Sequence, residues 1–78
     1  MTRRSIPVDQ LVEKLGENVR AARMKRGWTQ EELAGEAGLA VVQISRIERG
    51  VREVRLTTLI KLVRAFGLKP DELLDGLY

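Results

Sequence analysis

The side chains of this 78-residue chain best equipped for chemistry are hydrogen-bond donors, Arg46 and Gln43 foremost, set close behind two β-branched residues, Val41 and Val42. A guanidinium can give two parallel hydrogen bonds to guanine O6 and N7. A carboxamide can pair with adenine or fall back onto phosphate, and an exposed valine can lie against a thymine methyl group. Basic residues surround them. From Arg20 to Arg64 the chain carries ten Lys or Arg against five Asp or Glu, a balance of +5, whereas Lys69 to Tyr78 has one base against three acids. The middle of the chain is therefore the part suited to phosphate, and this distribution says more than the net charge of +3 and pI of about 9.8.

Catalysis fits the composition poorly. The chain has no histidine and no cysteine, so Ser45 or Thr57 as a nucleophile would have no imidazole to activate it. Zinc bound by the usual ligands and a disulfide framework are likewise not expected. The reading is a non-enzyme with no metal, no cofactor and no small-molecule ligand. The N-terminus MTRRSIPVDQ lacks the hydrophobic centre of a signal peptide, and the longest apolar run is a few residues, so a cytoplasmic protein with no membrane partner is expected.

Helices must position these donors. Leu11, Leu15, Val19 and Ala22 form one helical stripe from about Asp9 to Arg26, and Gly27 stops it. Thr29 and Glu32 have capping-box spacing at the start of a second helix, with Trp28 placed to staple onto Leu33. Leu33, Ala34 and Ala37 keep helical spacing up to Gly38, and Ile44 and Ile47 resume it beyond. Two amphipathic segments thus change direction at one glycine, with Leu39 folding back between them. A fourth helix, Leu56 to Phe66, puts Leu56, Leu59, Ile60, Val63 and Phe66 on one side. Pro70 then opens a fifth, running to Leu77. Only three aromatics are present, so the core is aliphatic, and a chain of this size leans readily on a partner subunit.

The stretch Arg23 to Gly50, RMKRGWTQEELAGEAGLAVVQISRIERG, combines a Gly-x-Thr-Gln opening, a Leu-Ala pair, the Gly turn and an Ile-x-x-Ile-Glu-x-Gly exit. On these motifs the chain resembles the helix-turn-helix DNA-binding domains of the Cro and phage-repressor type, including the small controller proteins of restriction-modification systems, over about its last 70 residues. The resemblance implies an all-α fold, a compact five-helix bundle of the lambda-repressor-like type, over residues 9–78 with the reading motif at 30–49. A flexible basic arm, residues 1–8 with Arg3 and Arg4, precedes it and is either a solvated tail or a DNA contact.

Site residues follow from that likeness. The first turn of the third helix is implied to enter the major groove, with Val41, Val42, Gln43 and Arg46 facing base edges; the alternative for Val41 is to turn inward. Phosphate is assigned to Gln30, Lys25, Arg26, Ser45, Arg49 and Arg52, although the helix dipole alone would account for Lys25 and Arg26. Arg23 is implied to pair with Glu48 and fix the angle between helices. Ala40 departs from the pattern, standing where such domains often carry a Ser or Thr cap. Phe66, Leu68, Leu74, Leu77 and Tyr78 make an apolar set suited to a two-fold dimer, or else they close the monomer core.

The implied function is a sequence-specific transcriptional regulator that binds double-stranded DNA as a homodimer on a near-palindromic operator, with autoregulation as the mode that controller proteins and phage switches suggest. An antitoxin or protein-interaction module on the same scaffold is the alternative, and co-purification with an equimolar partner would favour it.

Overall fold

Each helix contributes one fully buried aliphatic residue to a common centre: Val19, Leu33, Ile44, Leu62 and Leu73. The computed structural model describes residues 6–78, and among them there are five α-helices and no strand: α1 Leu11–Lys25, α2 Gln30–Ala37, α3 Val41–Arg49, α4 Leu56–Phe66 and α5 Pro70–Leu73, after a single 3-10 turn at Val8–Gln10. The expectations placed on Arg3 and Arg4 fall outside the described residues.

Local chemistry sets the boundaries. Thr29 Oγ1 accepts from the Glu32 N–H at 3.0 Å and the Glu32 carboxylate accepts from the Thr29 N–H at 2.9 Å, which satisfies two orphan donors at the start of α2. Gly38 takes φ 68°, a conformation open to glycine without a Cβ clash, and Leu39 then donates back to the Ala34 carbonyl at 3.0 Å. Leu39 ends half-buried against the core, so α3 leaves in a new direction.

Two sequence expectations change. On α4, Leu59, Leu62, Val63 and Phe66 lie within an arc of about 100° at helical spacing, and Leu62, Val63 and Phe66 are the buried members. Leu56 sits off the centre of that arc, at the first turn, and remains 72% exposed. The last helix also stops early, at Leu73 rather than Leu77. There Asn18 of α1 donates to the carbonyls of Leu73 and Asp75, both at 2.8 Å, and Gly76 adopts φ 84°, so the helix end is held by α1 and turned away.

Where Gly16 faces the end of α3, α1 and α3 approach closely. A Cβ on Gly16 would lie 2.8 Å from the Glu48 carbonyl oxygen and closer still to that of Ile47, both backbone atoms that side-chain motion cannot clear. Gly16→Ala is therefore expected to destabilise by about 1–3 kcal/mol through overpacking, partly offset by up to about 1 kcal/mol of helix propensity. Gly35 of α2 is exposed, and a Cβ there meets nothing; Gly35→Ala should stabilise by about 0.5–1 kcal/mol. Denaturant midpoints of the two variants check the contrast. Equal midpoints would mean that α1 does not press on α3.

Candidate nucleic-acid interface

The leading turn of α3 exposes what the core has no use for. Ile44 and Ile47 point inward and are buried, while Val41 and Val42 are 42% and 50% exposed. Both valines thus face solvent, Val41 included. Arg46 lies one turn beyond Val42 on the same side and is exposed, and among the described residues it has no ion-pair partner. No acidic residue occupies the first turn of α3. Gln43, Arg46, Arg52 and Arg55 share a groove of about 360 Å³ between α3 and the loop to α4, with Glu53 its one acid.

Ala40 caps α3 with no side chain, as its type dictates, in an extended conformation at φ −77° and ψ 147°. Gln43 makes up half of the missing box: its Oε1 accepts from the Ala40 N–H at 2.9 Å. The sequence carried the signal, since Gln43 stands three residues after the cap position, the spacing at which a side chain reaches back.

The angle of α3 is held from below. Arg23 donates from Nε to Glu48 Oε2 at 2.6 Å and from Nη2 to Oε1 at 3.0 Å, while its Nη1 reaches the Trp28 carbonyl at 2.7 Å. The two side chains are 14% and 4% exposed. The hydrogen bond to Glu48 raises the Arg23 pKa above the ordinary guanidinium value; burial opposes this and the Glu48 charge adds to it. Gln30 joins the same group, donating from Nε2 to Glu48 Oε1 at 3.1 Å. One end of the Gln30 carboxamide is therefore tied to the ion pair, leaving its oxygen for other contacts.

The expected phosphate ligands divide between two faces. Arg49, at the end of α3, and Arg52, in the groove beside Arg46, are exposed, with Arg49 Nε folded back toward the Ser45 carbonyl at 3.4 Å and Ser45 half-buried. Lys25 lies elsewhere, lining a cleft between α1 and α5 with the acids Glu72 and Asp75. Arg26 lines that same cleft and is committed to contacts within the fold. It donates to the Ala22 carbonyl at 2.9 Å and to the Phe66 carbonyl at 2.6 Å, and its guanidinium carbon stands 4.8 Å from the Phe66 ring centroid. This corrects its assignment to phosphate, because Nη1 is held by a carbonyl of its own helix and Nη2 by the C-terminal end of α4.

Phe66 is corrected in the same way. It is 5% exposed and stacks on Trp28 with ring centroids 6.0 Å apart, so it belongs to the chain's own core and not to a surface for a partner. Leu68, Leu74 and Leu77 pack half-buried against that core, and Tyr78 is 57% exposed.

Among the described residues no group of three or more His, Cys, Asp or Glu could hold a metal ion, and no helix is long and apolar enough to cross a membrane. Residues 19–73 match the helix-turn-helix family profile. The control protein C.BamHI of Bacillus amyloliquefaciens is 44% identical over 61 residues, covering 77% of this chain and 75% of that one. Among solved structures, the restriction-modification controller protein C.AhdI from Aeromonas hydrophila superposes with a TM-score of 0.76 at 37% identity, over 80% of this chain and 94% of that one. The hypothetical transcription factor NHTF from Neisseria gives 0.80 at 32%, over 97% and 88%. The chain belongs to the helix-turn-helix family of transcriptional regulators, with restriction-modification controller proteins among its relatives.

Proposed function

We propose that this protein binds a near-palindromic operator in double-stranded DNA as a homodimer and regulates transcription there, its own gene included. The observation that carries the reading is the leading turn of α3, which holds no acidic residue and where two valines stand exposed beside an arginine that has no ion-pair partner among the described residues. Solvent gives such a turn no reason to keep Val41 and Val42, whereas thymine methyl groups and guanine edges in a major groove do. Arg49 and Arg52 flank the turn and bind phosphate, setting its register. Leu68, Leu74, Leu77 and Tyr78 supply the apolar part of a two-fold contact, which sets two reading turns about 34 Å apart.

Selection of bound duplexes from a random pool tests the whole reading. The expected product is an inverted repeat with half-sites one helical turn apart. A pool that never enriches would sink it, and a single asymmetric site would sink the dimer. Arg46→Ala is expected to lose about 1–3 kcal/mol of discrimination at one position of each half-site. If affinity instead fell equally for every sequence, Arg46 would lie on the backbone.

A further inference from the structure

The cap bond at the start of α3 limits what Gln43 can read. Only an oxygen can accept from the Ala40 N–H, so the orientation of the Gln43 carboxamide is settled by chemistry: Oε1 turns back to the helix at 2.9 Å and Nε2 faces out. Among the described residues Nε2 has no partner, and the side chain is exposed in the groove beside Arg46. We infer that Gln43 acts as a donor-only specificity residue, held out of the two-bonded pairing with adenine by the bond between its Oε1 and the Ala40 backbone N–H.

Pairing with adenine needs the carboxamide oxygen to accept from the adenine 6-amino group while the nitrogen donates to N7. Here the oxygen has one of its two lone pairs on the Ala40 N–H and is held back toward the helix, so it is not aligned beside Nε2 on a base edge. Releasing it beneath a bound duplex would strand the Ala40 N–H away from water, a desolvation that works against the exchange. Arg46 is also a donor without acceptor capacity, and Val41 and Val42 offer only methyl groups. The reading turn therefore presents donors and apolar surface outward, with the one side-chain acceptor, Gln43 Oε1, turned back toward the helix. It suits the edges that display acceptors and a methyl group, guanine N7 and O6 and thymine O4 with its C5-methyl, and it leaves the amino groups of adenine and cytosine unread.

This inference rests on the proposed DNA-reading role, and base analogues separate the two. With the wild-type protein and its selected duplex, each adenine in the half-site is replaced in turn by purine, which lacks the 6-amino group, and each thymine by uracil, which lacks the methyl. Purine is expected to change affinity less than twofold at every position, and uracil to lower it about fourfold where a valine faces the base. A fivefold or larger loss with purine at one position, abolished in Gln43→Ala, would overturn the inference while leaving the DNA-reading role intact. A protein that selects no duplex at all would overturn that role first.

Ala40→Pro provides a second arm. Proline accepts φ −77° at a helix start and deletes the N–H that holds Oε1. The variant is expected to acquire an adenine 6-amino dependence of about fivefold that the wild type lacks. An unchanged analogue profile in folded Ala40→Pro would show that the cap does not restrain Gln43.

Discussion

Glu48→Ala is expected to remove about 3–5 kcal/mol of folding stability, because it leaves the Arg23 guanidinium inside the subunit without its carboxylate. The size follows from burial: the Glu48 side chain is 4% exposed and accepts from both Arg23 and Gln30. A domain of this length has about 4–12 kcal/mol in total, so the loss is a large share of what holds it folded. Chemical denaturation should show a midpoint far below wild type, or no folded baseline at all. The double variant Arg23→Met with Glu48→Leu should recover most of the loss, since an apolar pair of similar bulk leaves no orphaned charge. If Glu48→Ala folded as well as wild type yet bound DNA poorly, the pair would serve recognition directly and the structural argument would fail.

The pH behaviour of this pair follows from its sign. Arg23 titrates higher in the folded protein than in the unfolded chain, so the stability it contributes is complete below the ordinary guanidinium pKa and disappears only as pH rises beyond it. From the arginine side the pair is therefore constant across any working pH. Alkaline melting curves up to pH 10 or so should show no transition that Arg23→Met abolishes.

Affinity for the selected operator should fall roughly ten-thousandfold between 50 and 200 mM salt. Arg49 is exposed at the end of α3, and Arg52 and Arg55 are exposed in the groove beside Gln43 and Arg46, while the backbone N–H groups at the helix starts add anion-binding capacity. About four phosphates per subunit, eight for a dimer, give a slope of log K against log salt near −7. Arg52→Ala should make that slope shallower by about 2, one phosphate lost in each subunit. Lys25→Ala should leave it unchanged, because Lys25 lines the cleft between α1 and α5 opposite Glu72 and Asp75. A slope near zero would contradict the DNA reading, and a slope that responded to Lys25 and not to Arg52 would put the nucleic acid on the wrong face.

Much of the scaffold was legible because its signals are local. A capping box spans four residues and a glycine turn needs one positive φ, so Thr29, Glu32 and Gly38 announced the helix-turn-helix before any packing was known. Inward-facing Ile44 and Ile47 and outward-facing Val42 follow from helical spacing alone. The Arg23–Glu48 pair, 25 residues apart in sequence, came from likeness to a family; no spacing rule would have found it.

What spacing alone determined was where α2, α3 and α4 start and stop and most of the apolar stripe of each helix, since those depend on residues within about four positions of one another; the end of α5 was decided by Asn18 of α1. Tertiary structure decided how each long side chain is used. Arg26 reaches a carbonyl 40 residues away and so leaves the phosphate set, Phe66 is taken by Trp28, Gln30 is drawn to Glu48, and Gly16 is small because another helix passes over it. A guanidinium or carboxamide looks the same in sequence whether it faces solvent or a buried acceptor, and only the arrangement of helices in space brings one of those partners within 3 Å or so.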